Sequence, residues 1–170
     1  LVAAAQYQDC VVVNSITRDP ATRRQTTREL IGHGGELVNL IHPSVDTRLV
    51  RMGVGNIVHE GVVLQPGVIV GDNCAFNGNT IISHECVIAD HVFFAPGVTL
   101  AGLVRVGEAA MLGVGSVVLP RLSIGQGAMV GGGAVVTRNV AAGSVVVGNP
   151  ARALSRLTGW NEDAAGKSPS

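Results

Sequence analysis

Aromatic side chains are nearly missing: three Phe, one Tyr and one Trp stand among 170 residues. Charge is sparse and balanced, twelve basic residues against twelve acidic, and the basic ones form no stripe. Without a basic face or aromatic platforms, the chain carries no footprint for nucleic acid. No stretch reaches the ~18 consecutive apolar residues of a membrane-spanning helix, so no span is expected. Cysteine is scarce too. Cys10, Cys74 and Cys86 make an odd count without a CxxC pair, which reads as reduced thiols in a cytoplasmic protein. Residues 1–5 are too short for a signal peptide. The chain starts with Leu, as a processed, mis-started or fragmentary chain would.

What is present is a period of six. From residue 52 to residue 136 every sixth residue is apolar, through Met52, Val58, Leu64, Val70, Phe76, Ile82, Ile88, Phe94, Leu100, Val106, Leu112, Val118, Ile124, Val130 and Val136. Four residues after each comes a second small or aliphatic residue, from Val62 through Cys74, Thr80, Cys86, Val98 and Ser116 to Val140, with Asn56 the one exception. Gly often follows the frame position directly, at Gly53, Gly71, Gly107, Gly113, Gly125 and Gly131. A helix needs a period near 3.6 and a simple strand a period of 2, so a strict six fits neither. It fits short strands joined by identical corners, where Gly is expected because a tight bend often needs φ > 0. Units this short cannot bury a face alone and must stack. The fold class is therefore mainly β, a parallel β-helix in which three hexads close one triangular coil, with a small N-terminal βαβ portion of an α/β domain. Fifteen hexads make five coils of eighteen residues. Low aromatic content suits thin coils whose interior takes only small and aliphatic side chains.

The flanks break the rule and set the expected boundaries: 1–42 partial α/β, 43–153 β-helix, 154–170 cap and disordered tail. Residues 10–16 (CVVVNSI) read as a buried strand. Asp19 and Pro20 read as cap and first turn of a helix that ends in the cluster Gly32, His33, Gly34, Gly35. Residues 36–41 (ELVNLI) read as a second, parallel strand. His42 and Pro43 open the link to the repeat. After Val136, Ala142 and Gly143 offer one more corner, and 145–147 a last strand. Pro150 is expected to end ladder pairing, with 153–160 as a short capping turn over a sticky open end. Residues 161–170 are small and polar.

Of five histidines, His33, His42 and His59 read as loop or surface residues, leaving His84 and His91. His84 lies in an unusually polar stretch with Asn77, Asn79, Thr80, Ser83 and Glu85, so Asn77 and Asn79 become candidates for substrate contact. Residues eighteen apart stack about one strand spacing apart, ~4.8 Å. Eighteen after His84 is Gly102, which sets a base beside an unobstructed backbone. Acyl transfer needs that pair: an imidazole to take the nucleophile's proton and an N–H for the developing oxyanion. A carboxylate at Glu85 would favour the imidazolium and raise the basicity of His84. One obstacle stands, because adjacent side chains of a flat strand point to opposite faces. Glu85 helps only if the corner after Ile82 bends the chain. Cys74 and Cys86 fall on inward positions and read as core.

With the runs Ile41-His42-Pro43-Ser44, Ser83-His84-Glu85-Cys86-Val87-Ile88, Ala95-Pro96-Gly97-Val98-Thr99-Leu100-Ala101-Gly102 and Val147-Gly148-Asn149-Pro150-Ala151-Arg152, the chain resembles the left-handed β-helix, hexapeptide-repeat acyltransferases. Within them it is similar to the branch holding sialic acid O-acetyltransferases and N-acetyltransferases of nucleotide-linked amino sugars. The resemblance covers about residues 35–153, and left-handedness rests on it alone. It implies an acetyl-CoA-dependent transferase, a homotrimer with active sites in clefts between β-helices, and a sugar or nucleotide-sugar acceptor. It implies His84 as general base, Glu85 as its partner, and Gly102 backbone by the thioester. Acetyl-CoA contacts fall at Phe93, Gly102, Val114 and Gly132, with no metal. Gly131, Gly132 and Gly133 serve either the pantetheine arm or corner geometry.

Two departures from the pattern stand out. Many relatives have His where this chain has Phe93. Relatives also open with a Gly-rich strand–turn, and no GxGxxG precedes Cys10, so either the chain begins after that element or this member lacks the usual sugar-nucleotide pocket. Two other readings stay open. A metal enzyme like the β-helical carbonic anhydrases needs three converging His ligands, whereas His84 and His91 lie seven apart, farther than that family's pair. A non-catalytic scaffold needs only the prism.

Overall fold

The computed structural model describes residues 11–15 and 20–154. From Leu40 to Val147 the backbone winds as a solenoid of strands mostly two residues long, joined by corners. Three parallel faces result. The first holds Leu40–Ile41, Ile57–Val58, Ala75–Phe76, Phe93–Phe94, Met111–Leu112, Met129–Val130 and Val145–Val147. The second holds Val63–Leu64, Ile81–Ile82, Thr99–Leu100, Val117–Val118 and Val135–Val136. The third holds Arg51–Met52, Ile69–Val70, Val87–Ile88, Arg105–Val106 and Ser123–Ile124. In the regular coils the register is eighteen residues, as in Ile82↔Leu100 and Phe94↔Leu112.

Period six puts the second residue of every strand inside the prism. Phe76, Ile82, Phe94, Leu100, Leu112 and Val118 are wholly buried, as are Val68, Val92, Val98 and Val104 four residues after their frame positions. Phe76 and Phe94 stack one coil apart with ring centroids 4.8 Å apart and planes within 10°, a favourable aromatic contact at no cost in interior width. Asn56, which shares this inward series with the smaller polar residues Thr80 and Ser116, is fully buried yet satisfied. Its Nδ2 donates to Gly71 O at 3.0 Å, and its Oδ1 accepts from the Cys74 N–H at 2.7 Å, as a buried amide must.

The frame glycines do not serve left-handed backbone. Positive φ falls two residues later, at Gly55, Gly61, Gly97, Gly115, Gly127 and Gly133, and at Asn73, Asn79, Glu85, His91, Leu103, Ala109 and Arg121. Gly directly after the frame position answers crowding between coils: a Cβ on Gly113 would sit 2.6 Å from Gly132 N.

The ends depart from the period. The stretch 36–41 is two strands. Glu36–Leu37 pairs in parallel with Val11–Val12, and Leu40–Ile41 is already a rung of the first face. Ile41 pairs with Val58, seventeen residues on, so a frame run backwards from Val58 lands on exposed Leu40 instead. At the far end Val130 pairs with Val146 and Ile124 bridges Val140, a coil of sixteen. Val140 thus takes a strand position, and Gly143 (φ 67) is the added corner. Pairing does not stop at Pro150: Arg152–Ala153 returns antiparallel against Val146 and Val147.

The helix Pro20–Gly32 ends in a Schellman motif, with Gly35 N–H on Leu30 O, Gly34 N–H on Ile31 O, and Gly34 at φ 85. It docks on the corner between third and first faces through polar contacts. Arg23 Nε donates to Asn73 O (2.9 Å), Asn73 Nδ2 meets Thr27 Oγ1 (2.8 Å) and His91 Nδ1 (2.9 Å), and Arg24 pairs with Glu108 (2.9 Å). Cys10, the Asp19 cap, the rest of the proposed turn beyond Leu154 and the tail lie outside the described residues.

Candidate active site

The corner between the second and third faces holds the sequence-derived triad. Ile82 ends its strand inward, and the next residues turn outward. Glu85 takes φ 56, and this left-handed bend removes the flat-strand obstacle. His84 and Glu85 swing to the same side, with Nδ1 and Oε2 3.0 Å apart. As a carboxylate, Glu85 can only accept, so Nδ1 carries the hydrogen, and in the neutral ring Nε2 then holds the lone pair. The imidazole stands outside the prism, about half exposed. Its Nε2 edge lies over Gly102, where an added Cβ would overlap the ring. The backbone of His84 is held on both sides: its carbonyl accepts from Leu103 N–H (3.0 Å), and its N–H donates to Gln65 Oε1 (3.0 Å). Among the described residues the Gly102 N–H has no acceptor, while its carbonyl takes Arg121 N–H.

The other candidates lie elsewhere in the chain. Val114 and Gly132 stack one coil apart at the corner between first and second faces, where Gly133 N–H reaches Val114 O (2.8 Å). Beside them is an apolar cleft of about 200 Å³ lined by Met111, Met129, Gly131, Gly132, Val147 and Leu154. Phe93 is on the outer side of the first face between Ala75 and Met111. Asn77 spends its Nδ2 on Phe94 O (2.7 Å), and Asn79 is an exposed corner residue at φ 60. The structure therefore unites His84, Glu85 and Gly102, and separates them from Val114 and Gly132 by the whole second face. Within the triple glycine, Gly133 has positive φ and a Cβ on Gly131 would strike Val147. Corner geometry accounts for both.

The remaining histidines are not assembled with His84. His42 Nδ1 meets Ser44 Oγ at 2.9 Å. His42 and His59 border a separate hollow of about 430 Å³ over Leu40 and Ile57. His91 belongs to the helix dock, and burial pushes its pKa down. Among the described residues, no three His, Cys, Asp or Glu side chains converge as metal ligands. Cys74 and Cys86 are unpaired inside the prism, and burial pushes the Cys74 thiol up to about 12. No helix among the described residues is long and apolar enough to cross a membrane.

An imidazole–carboxylate pair on the corner of a hexapeptide-repeat prism defines a class, the β-helical acyltransferases. No protein-family model matches the chain. It is 36% identical over 140 residues to GDP-perosamine N-acetyltransferase of Escherichia coli O157:H7, across 79% of this chain and 63% of that one. A histidine-to-asparagine variant of perosamine N-acetyltransferase from Caulobacter crescentus, solved with CoA and GDP-perosamine, is 35% identical at a TM-score of 0.79, across 81% of this chain and 66% of that one. The acetyltransferase domain of PglB from Neisseria gonorrhoeae FA1090, solved with acetyl coenzyme A, is 30% identical at a TM-score of 0.79, across 90% and 73%. The chain belongs to the hexapeptide-repeat sugar N-acetyltransferase family, whose β-helix is left-handed. It spans about two thirds of the length of the perosamine enzymes it matches.

Proposed function

We propose that the chain transfers acetyl from acetyl-CoA to an amine or hydroxyl of a sugar, with a nucleotide-linked amino sugar as the favoured acceptor. The carrying observation is the His84 ring, tethered to Glu85 through Nδ1, with Nε2 over Gly102, whose N–H has no acceptor among the described residues. An amine acceptor is protonated near pH 7; it loses one proton to solvent to expose its lone pair, and a second must leave nitrogen as the amide forms. His84 Nε2 takes the proton as the nucleophile adds to the thioester carbonyl. The Gly102 N–H donates to the developing oxyanion. Collapse expels the CoA sulfur, which recovers the proton from the imidazolium. Support for this acceptor class and donor comes from the relatives solved with CoA, acetyl coenzyme A and GDP-perosamine.

The cleft that completes the site is assigned to the seam of a homotrimer. The second face suits such a seam, since its outward residues are Val63, Ile81, Thr99, Val117 and Val135, with Val63 47% and Ile81 37% exposed. One of its edges carries His84 and Gly102, the other Val114 and Gly132. Packing second faces would bring cofactor contacts at Val114 and Gly132 toward a neighbour's His84, with Phe93, Asn77 and Asn79 lining the approach. Free thiols and use of acetyl-CoA favour a cytoplasmic setting. The test is thiol release from acetyl-CoA with a panel of nucleotide-linked amino sugars, free sialic acid and small amino acids. Release with an amino sugar, lost in His84→Ala, is expected. Acetyl-CoA giving no heat in calorimetry would mean a scaffold instead.

A further inference from the structure

Among the described residues, the residue two after each frame position donates no backbone–backbone hydrogen bond. Along the corner that carries His84, the residues at this position in successive coils are Pro66, His84, Gly102, Pro120 and Arg138. Proline has no N–H, which removes the donors on either side of His84 and Gly102. The His84 N–H is taken by Gln65 Oε1 at 3.0 Å. Among the described residues, Gly102 is left as the free donor next to His84 in this column, with Arg138 the other one two coils further on. The neighbouring corner is built differently. There the Val54 N–H is capped by Asp72 Oδ1 and the Asp72 N–H by Asp90 Oδ1, each at 2.8 Å, so the cap comes from the following coil. At His84 it comes from the preceding one. Gln65 is thereby tied on both sides, since its own N–H donates to Ile82 O at 2.9 Å.

We infer that Gln65 is a positioning residue of the acetyl-transfer site, anchoring the backbone of His84 so that Nε2 stays over Gly102; this rests on the acetyltransferase reading above. His84 immediately precedes a left-handed residue, and its ring hangs on an exposed corner. Without the cap its N–H turns to water, the turn from Ser83 to Glu85 loosens, and the ring samples positions away from Gly102. Gln65 does not touch the reacting atoms.

Three variants of the full chain test the assignment. Gln65→Leu keeps bulk and removes the acceptor. Gln65→Glu keeps an acceptor at the same reach. Asp72→Ala removes the equivalent cap from Val54, away from the site. Imidazole nitrogen NMR reads the His84 ring, and thiol release from acetyl-CoA with GDP-perosamine as the probe acceptor reads turnover. In Gln65→Leu, kcat is expected to fall about tenfold, the worth of one well-made hydrogen bond, at unchanged KM for acetyl-CoA. Its His84 ring nitrogens should lose their single-tautomer pattern. Gln65→Glu should restore both, and Asp72→Ala should lower Tm while leaving both alone. Wild-type ring signals in Gln65→Leu, or an equal kcat loss in Asp72→Ala, would overturn the assignment. Ring signals that respond as stated in a chain that releases no thiol support the anchoring and sink the acetyltransferase reading alone.

Discussion

His84, the proposed base, is held by contacts that each come from a different coil or neighbour: Gln65 below, Gly102 above and Glu85 beside it. None of them lies in the prism's interior, so altering them should change turnover far more than stability. His84→Ala is expected to lower kcat by about 10²–10⁴-fold with Tm unchanged, measured by thiol release and thermal unfolding. Gly102→Ala places a methyl group on the imidazole and should lower kcat about as far, with the ring displaced in a crystal structure. Much of this was legible in advance. Stacking at eighteen residues paired His84 with Gly102 on spacing alone. The help of Glu85 was conditional on a bend, and φ 56 is that bend. Gln65 was not legible, because its contact depends on a side chain reaching along the prism axis, which no periodicity encodes. Asn77 looked available for a ligand, yet its amide is committed to Phe94 O.

Corners and the docked helix are held by different physics. Coil against coil is a steric fit, so Gly113→Ala, whose Cβ would press on Gly132 N, should cost about 1–3 kcal/mol by overpacking, read from denaturant unfolding. The sequence identified these glycines correctly but for the wrong cause, since their φ values are ordinary and their neighbours are close. The period was legible wherever coils hold eighteen residues. It failed at Ile41 and Val140, where coils of seventeen and sixteen shift the inward residue. The helix dock is polar and therefore sensitive to pH. Burial lowers the His91 pKa below its ordinary 6.5; the carboxylates of Asp90 and Glu108 oppose that shift, while Arg23 and Arg24 reinforce it. A depressed folded value means that His91 contributes stability above about pH 6.5, lost as pH falls through the folded value. Acidification from pH 7 to 5 should thus lower the Tm of the wild type more than that of His91→Asn, which tolerates positive φ at that position. Equal slopes would remove His91 from the dock's acid response.

For the molecule as a whole, the second face is the one on which the proposed trimer would complete each site. Its apolar outer residues lie between one edge that carries the base and another that carries Val114 and Gly132. Ile81→Glu should put a desolvated charge into a threefold seam. Sedimentation is expected to show monomers and turnover to fall with them, while far-ultraviolet dichroism keeps its wild-type shape. A trimer that persists in this variant would move the seam to another face. Because every regular storey of the prism repeats the one beneath it, the distance between any two corner residues along the axis is quantised in steps of about 4.8 Å. Adding or removing a block of eighteen residues between coils would lengthen or shorten the groove by one such step without turning any side chain from its face. Evolution can therefore adjust how far a bound chain extends simply by counting floors.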